Sequence, residues 1–405
     1  MAPIRRDLIK EFSMNPADLA PPLRSRLAPI PTSSGTDFAV TPIPPVEAAI
    51  DLGPARASHA TALSSIGRAD ALAKAYPDHF FLSRILVRQE AVASSAIEGT
   101  HSTLDHLLEV EEAEDPFATI RTDSDAKQVQ SYALALERAL GDVQRNKFDA
   151  FSVGMIRDLQ REVVKDDPTY THEPGALRKR GHFVYIGGGD ISRSTYNPAP
   201  PDEVMNCLND QISYLKCAGM QHSNQSIVTR MALSHAHFEA VHPFPNGNGR
   251  TGRLILPLML AADGHTPLYL APYIAANRPT YMDALRAAQQ RLEWVPIIEV
   301  IASAIISAVD TAERTHGDLF VLFSDWINRR KWRRGSSARR AIDLLLGHPV
   351  VTTKRLEGLL GISSQAAATA IKQLVAAKIL EERTGFKRNR VFAATGVLKI
   401  YNRAR

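Results

Sequence analysis

The chain has 405 residues, 44% apolar and 22% charged, which is the composition of an ordinary globular protein and excludes a disordered or fibrous one. Set against roughly 100–200 residues per domain, that length predicts two or three domains. The net charge of +5 hides an asymmetry: residues 321–405 hold 18 Lys/Arg against five Asp/Glu, while the remainder is mildly acidic, so a basic tail with an anionic partner is expected.

No run approaches about 18 uninterrupted apolar residues, so no membrane partner is expected. The opening Met1-Ala-Pro-Ile-Arg-Arg-Asp leads into no apolar segment. No signal peptide is read, and a cytoplasmic location is expected. Cys207 and Cys217 are too few for a disulfide framework or a zinc cage and read as reduced, buried thiols.

Residues 15–54 are rich in Pro and Ser and predict an extended arm over the surface, because Pro denies the chain helix and ladder bonds. From about 55 to 108 the pattern turns helical, with Leu82, Ile85, Leu86 and Gln89 on one stripe. Helices are expected at 123–141 and 150–166. Residues 182–186 then form a short β-like run before three glycines, which predicts a hairpin and the only sheet of the main body. Further helices are expected at 202–219, 224–241, 248–263, 278–291 and 295–313. The charged stretch at 328–340 marks a boundary. Beyond it, helices at about 337–346, 353–360 and 363–377 flank the turn Gly361-Ile-Ser, a helix-turn-helix signature. Residues 381–392 with Thr384-Gly385 predict a two-stranded wing, so the tail resembles a winged helix-turn-helix domain.

The segment that carries chemistry is His242-Pro-Phe-Pro-Asn-Gly-Asn-Gly-Arg-Thr-Gly-Arg253. Gly247 to Gly252 satisfies G-x-G-x-x-G, but a helical pattern precedes it where a dinucleotide fold requires a strand. The glycines nevertheless let successive N–H groups converge on one spot, and a helix beginning near Asn248 adds its positive end. Arg250 and Arg253 lie three apart on that helix, so the loop suits a polyphosphate such as a nucleotide. His242 lies close enough to serve as a base for an attacking hydroxyl. A zinc site of His235, His237 and His242 fails, because 235 and 237 point about 200° apart on a helix.

This stretch resembles the signature of the Fic (Fido) family, His-x-Phe-x-Asp/Glu-Gly-Asn-Gly-Arg-x-x-Arg. The resemblance covers roughly residues 70–310, including Tyr196-Asn-Pro-Ala-Pro-Pro and Asn277-Arg-x-x-Tyr281. It implies a mainly α fold, a helical bundle with a β-hairpin flap, and transfer of AMP from ATP to a Ser, Thr or Tyr hydroxyl of a target protein. It further implies that His242 is the general base and that Phe244 anchors the loop. Gly247, Asn248 and Gly249 would surround the α-phosphate, Arg250 and Arg253 would hold the outer phosphates, and Asn277 would contact the nucleotide. The flap near 180–186 would hold the target segment by strand pairing. The family's usual acid, which holds Mg²⁺, is Asn246 here, and its neutral amide oxygen would bind the cation more weakly.

Residues 88–100, with Ser94, Glu98 and Gly99, resemble the inhibitory helix of the Fic class whose brake lies N-terminal to the core. The resemblance implies that Glu98 occupies Arg253 and keeps the enzyme autoinhibited. Some relatives use the same glutamate to remove AMP. The expected division is 1–115 for the arm and inhibitory region, 116–313 for the catalytic core, 314–335 for a linker helix and 336–405 for the winged domain. The competing reading is a nucleotide-sensing, DNA-binding transcriptional regulator. Its support is the basic tail, for which dimerisation, including a homodimer, or a plain scaffold is the alternative.

Overall fold

The computed structural model describes residues 14–32, 35–76, 81–112, 124–187, 191, 193–216, 225–385 and 390–403, with 81–83 in backbone only. The chain is mainly helical. In order come α1 (Pro21–Arg24), β1 (Leu27–Thr32), β2 (Gly35–Val40), α2 (Arg56–Ala75), α3 (Phe81–Ile97), α4 (Leu104–Glu112) and α5 (Ser124–Asn146). There follow α6 (Val153–Val164), α7 (Val204–Leu215), α8 (Ile227–Val241), α9 (Asn248–Ala262), α10 (Ala271–Ala276), α11 (Arg278–Arg286) and α12 (Val295–Asn328). The chain ends with α13 (Ser337–Leu345), β3 (Val350–Thr352), α14 (Thr353–Leu360), α15 (Ser364–Ala376), β4 (Glu381–Glu382), β5 (Val391–Ala393) and α16 (Thr395–Arg403). Two compact units result, residues 1–66 with 135–306 and residues 67–134 with 307–405. Both are discontinuous in sequence, whereas the expected division ran linearly along it.

In the first unit the Pro-rich arm is more ordered than its composition predicts. β1 and β2 form an antiparallel hairpin in which Pro29 faces Phe38 and Pro31 faces Thr36. The two prolines are two residues apart, so both missing N–H groups lie toward the outer edge and no ladder bond is lost. This hairpin also corrects the expectation that the flap would be the only sheet of the main body. On the outer edge of β2, Val40 donates its N–H to the Asn197 carbonyl at 2.9 Å, and Asn197 Nδ2 donates to the Phe38 carbonyl at 2.9 Å. Met14, Leu19, Leu23 and Val40 close over Tyr196, with Phe38 and Ile186 half-buried beside them. Helix α8 is buried on every side, and α9 is buried at every residue except Gly249.

Helix α12 is continuous over 34 residues, where a helix at 295–313 and a separate linker at 314–335 were expected. It is long and apolar enough to cross a membrane by composition, with an 18-residue window of mean hydropathy 1.7. Its Ile297, Ile298, Ile301 and Ile305 are buried inside the protein.

The second unit has its own core. Ile85 of α3 and Leu104 and Leu108 of α4 share it with Leu319 and Trp326 of α12 and with Ile342, Leu356, Leu374, Phe392 and Tyr401 of the tail. The strands form one antiparallel sheet in the order β3-β5-β4. Strands β4 and β5 occupy the expected wing, whose residues 386–389 lie outside the described chain. Strand β3 and helix α16 were not foreseen, because each apolar run is short and reads equally as helix or loop.

Polar contacts tie α3 and α4 to that tail. The buried Glu111 carboxylate accepts from Arg84 Nη2 at 2.6 Å and Arg88 Nε at 2.9 Å. Arg84 Nη1 donates to the Gly347 carbonyl at 3.3 Å and Gln89 Nε2 to the Tyr401 carbonyl at 2.8 Å. Removing this buried carboxylate takes an ion-pair partner from two guanidiniums of α3, so Glu111→Ala should cost about 3–5 kcal/mol. Calorimetry should show a lowered transition for this unit, and an unchanged melting profile would contradict the assignment.

Candidate active site

The signature loop joins two buried helices, and its geometry follows from that burial. Helix α8 starts at Ser226, whose hydroxyl accepts from the Thr229 N–H. It ends at His242, held in the left-handed region at φ +50°, which costs a non-glycine residue on the order of 1–3 kcal/mol and must be imposed by its surroundings. Those surroundings centre on Arg178, itself buried. Its Nε donates to the His242 carbonyl at 2.8 Å, and its Nη2 donates to the carbonyls of Val241 at 3.0 Å and Ala199 at 2.6 Å. Its own N–H donates to the Pro243 carbonyl at 3.0 Å. One side chain thus caps the helix and joins it to the segment that follows the flap. Burial pushes its guanidinium down to about 10, which leaves it charged at neutral pH.

The basic run Arg178-Lys179-Arg180 is therefore split in role. Arg178 is structural glue, whereas Lys179 and Arg180 are exposed. Nothing in the sequence separates the three, since the distinction is which carbonyls lie nearby. Gln160 was missed for the same reason. Its Nε2 donates to the Asn246 carbonyl at 3.0 Å, and its Oε1 accepts from the Gly175 N–H at 2.6 Å.

Phe244 is fully buried and anchors the loop. The Asn248 side chain clasps it, accepting from the Phe244 N–H and donating to the Phe244 carbonyl, both at 2.8 Å. The amide of Asn248 is thus turned into the loop, and what it offers a ligand is its backbone. Gly247 has φ +82°, and a Cβ there would lie 2.8 Å from Val164 Cγ1. As the residue preceding α9, Gly247 supplies no side-chain cap, so the first N–H groups of the helix receive no partner from it. An uncapped helix N-terminus beside a glycine turn favours an anion.

The two signature arginines are both buried. Arg250 Nη2 lies 3.7 Å from Asp167, and its Nη1 donates to the Val163 carbonyl at 3.5 Å. It therefore faces the end of α6. Arg253 is 1% exposed, and its charge bears on His235. His235 meets the Tyr281 hydroxyl at 2.8 Å and His237 meets Gln211 Oε1 at 2.8 Å. Burial pushes each of these imidazoles down to about 3, with Arg253 adding to the effect at His235. His242 differs in being partly exposed. Its Nδ1 lies 3.3 Å from the Glu239 carbonyl and 3.7 Å from Glu239 Oε2, both acceptors, an arrangement that suits a proton on Nδ1 and leaves Nε2 the acceptor whenever the ring is neutral.

Other expected residues fall elsewhere. Asn277 joins α10 to α11 and donates to the Tyr273 carbonyl at 2.9 Å. Among the described residues the flap shows one antiparallel bridge, between Ile186 and Tyr196, and 188–190 and 192 lie outside them. Ser94 is buried on α3, whereas Glu98 is exposed at its end. The turn there is closed by Gly99 at φ +88°, with the Gly99 and Thr100 N–H groups donating to the carbonyls of Ala96 and Ser95. Cys207 is a free, buried thiol pushed up to about 12, and Cys217 lies outside the described residues.

The residues present do not fit a resident Mg²⁺. Asn246 offers one neutral oxygen, and that oxygen accepts from the Gly247 N–H at 2.6 Å. Among the described residues no three His, Cys, Asp or Glu converge on a metal position.

A mainly helical unit whose signature loop sets a histidine before an uncapped helix start presents a site that favours an anion. Two family models match the chain, one described as Fic/DOC family N-terminal over residues 56–141 and one as Fic/DOC family over 150–260. The chain belongs to the Fic/DOC family. It is 33% identical over 100 residues to a probable protein adenylyltransferase of Aquifex aeolicus, covering 25% of this chain and 28% of that protein. It is also 33% identical over 125 residues to a protein adenylyltransferase of Caenorhabditis elegans, covering 30% of this chain and 22% of that protein. The matches thus span about a quarter of these relatives. The crystal structure of a Fic family protein from Desulfovibrio desulfuricans G20 shares the fold, with a TM-score of 0.53 at 19% identity over 88% of this chain and 99% of that one.

Gly247→Ala meets both a left-handed backbone and Val164, so it should destabilise the protein by about 1–3 kcal/mol. A urea midpoint equal to wild type would contradict this. His235 and His237 bind protons in the unfolded chain near pH 6.5 but not in the fold until about 3. Between those values the unfolded state holds more protons, so stability falls as pH drops below about 6.5. Urea titrations across that window should show the slope, and replacing both by Gln should flatten it.

Proposed function

We propose that this protein is an autoinhibited protein adenylyltransferase, transferring AMP from ATP to a Ser, Thr or Tyr hydroxyl of a target protein. The observation that carries the reading is the partly exposed His242, its Nδ1 3.3 Å from the Glu239 carbonyl, on the loop that leads to the uncapped start of α9. The naming of the two relatives as adenylyltransferases supports the nucleotide and the reaction class.

On this reading the α-phosphate rests on the N–H groups at Gly247–Gly249, where the helix end stabilises developing negative charge. The target hydroxyl oxygen attacks the α-phosphorus and its proton passes to His242 Nε2. The bond from that phosphorus to the bridging oxygen breaks, and pyrophosphate leaves. Arg253 holds the outer phosphates. Arg250, paired with Asp167, keeps the loop against α6 and reaches phosphate only by giving up that pair. The half-buried edge at 183–186 receives the target segment as an added strand. Glu98 competes with ATP for Arg253 and sets the low resting activity. The same carboxylate, aimed at water, would serve AMP removal.

Transfer of label from [α-³²P]ATP to protein tests the reading. Glu98→Gly should raise labelling at least about tenfold, and adding His242→Ala should lower it by about 10²–10⁴. Equal labelling by wild type and Glu98→Gly would remove the brake, whereas labelling that persists without His242 would remove the base.

A further inference from the structure

The tail holds a helix face that the adenylyl-transfer reading does not use. Helix α14 ends at Gly361, left-handed at φ +61°, and Ser363 caps α15 by accepting from the Ala366 N–H. Between the two helices lie only three residues, the spacing of a helix-turn-helix. Ala367, Ala370, Ile371 and Leu374 bury one side of α15 in the core of its unit. The opposite side, Ser364, Gln365, Ala368, Thr369 and Lys372, is exposed along the helix. It is polar and carries no acid.

Positive charge predominates around that face, with 18 Lys/Arg against five Asp/Glu over residues 321–405. Three of the five acids are ion-paired, Asp325 with Arg329 at 2.7 Å, Asp343 with Arg339 at 2.8 Å and Glu382 with Arg390 at 3.2 Å, which leaves Glu357 and Glu381 as the acids flanking α15. The exposed run Arg330, Lys331, Arg333 and Arg334 has no acid within it. Its position is set by two contacts. Arg329 donates to the carbonyls of Ala377 at 3.2 Å and Lys378 at 2.7 Å, at the C-terminal end of α15. Arg340 donates to the Leu360 carbonyl at 2.7 Å, at the turn before α15. The basic segment therefore starts at one end of the exposed helix and finishes at the other.

Two of the cations in 381–390 are already paired, Arg383 with Asp105 and Glu109 of α4, each at 3.2 Å, and Arg390 with Glu382 at 3.2 Å; Lys387 and Arg388 lie outside the described residues.

We propose that α15 docks in the major groove of duplex DNA, with Gln365, Thr369 and Lys372 toward base edges and the 329–340 segment and Lys378 on phosphates. A B-form major groove about 12 Å wide admits one helix, whereas the narrow major groove of duplex RNA does not. A protein partner would be expected to find aromatic or large aliphatic anchors, and on this face only Val375 is a large exposed apolar side chain. The proposal does not rest on adenylyl transfer.

The test uses the full-length chain and a fluorescein-labelled, mixed-sequence DNA duplex, read by anisotropy across a salt series. Micromolar binding is expected at low salt, weakening with a log–log slope of roughly −0.9 for each phosphate contacted. Arg333→Ala with Arg334→Ala should lessen that slope by about 2. Gln365→Ala with Lys372→Ala should weaken binding at least about fivefold with an unchanged melting temperature, because these side chains are exposed, while Arg383→Ala should leave affinity as it was. Absence of binding at low salt would overturn the proposal. So would an unaffected Gln365/Lys372 variant, equally tight binding to duplex RNA, or a change of oligomeric mass in that variant with DNA affinity retained.

Discussion

Helix α8 ends inside the protein, and its last two carbonyls, those of Val241 and His242, are met by one guanidinium, that of Arg178. A buried helix end without partners would leave several polar groups desolvated, at a cost comparable to the stability of a small domain. Because Arg178 also binds the carbonyls of Ala199 and His182, the same side chain that satisfies the helix fixes where the flap begins. The left-handed turn at His242 is the local consequence. It moves the imidazole off the axis of α8 and leaves it partly exposed at the mouth of the loop.

The loop obeys the same constraint from its other side. Phe244 fills the interior, and Asn248 satisfies both polar groups of its backbone, so the residue that opens α9 spends its side chain on the loop. Gly247 then turns the chain where Val164 leaves no space for a Cβ. What remains unsatisfied by design of the backbone is the start of α9, which is where an anion is stabilised. Neutral His235, bonded to Tyr281, adds no second positive charge beside the buried Arg253.

In the second unit, α3 and α4 share one core with the basic tail, and Glu111 locks two arginines of α3. The helix that ends at Ser94, Glu98 and Gly99 is therefore built as part of the same body as the tail, although more than 200 residues separate them in the chain. Arg383, which looks like a free wing cation in sequence, is neutralised by the acids of α4. Among the described residues, the exposed run Arg330, Lys331, Arg333 and Arg334 carries positive charge with no acid within it.

Much of this protein is determined by sequence alone. The helical periods, the signature residues, the glycine caps at Gly99, Gly247 and Gly361, and the helix-turn-helix spacing are local properties, written within a few residues of one another. Tertiary structure decided the rest. It set which arginines are solvated and which are buried, turned Asn248 inward, ordered a Pro-rich arm as a hairpin against residues 194–197, and divided the chain into discontinuous units. The physical reason is common to all of these. A polar side chain's role depends on which unsatisfied carbonyl or carboxylate the fold brings within about 3 Å of it, and that neighbour is usually distant in the chain.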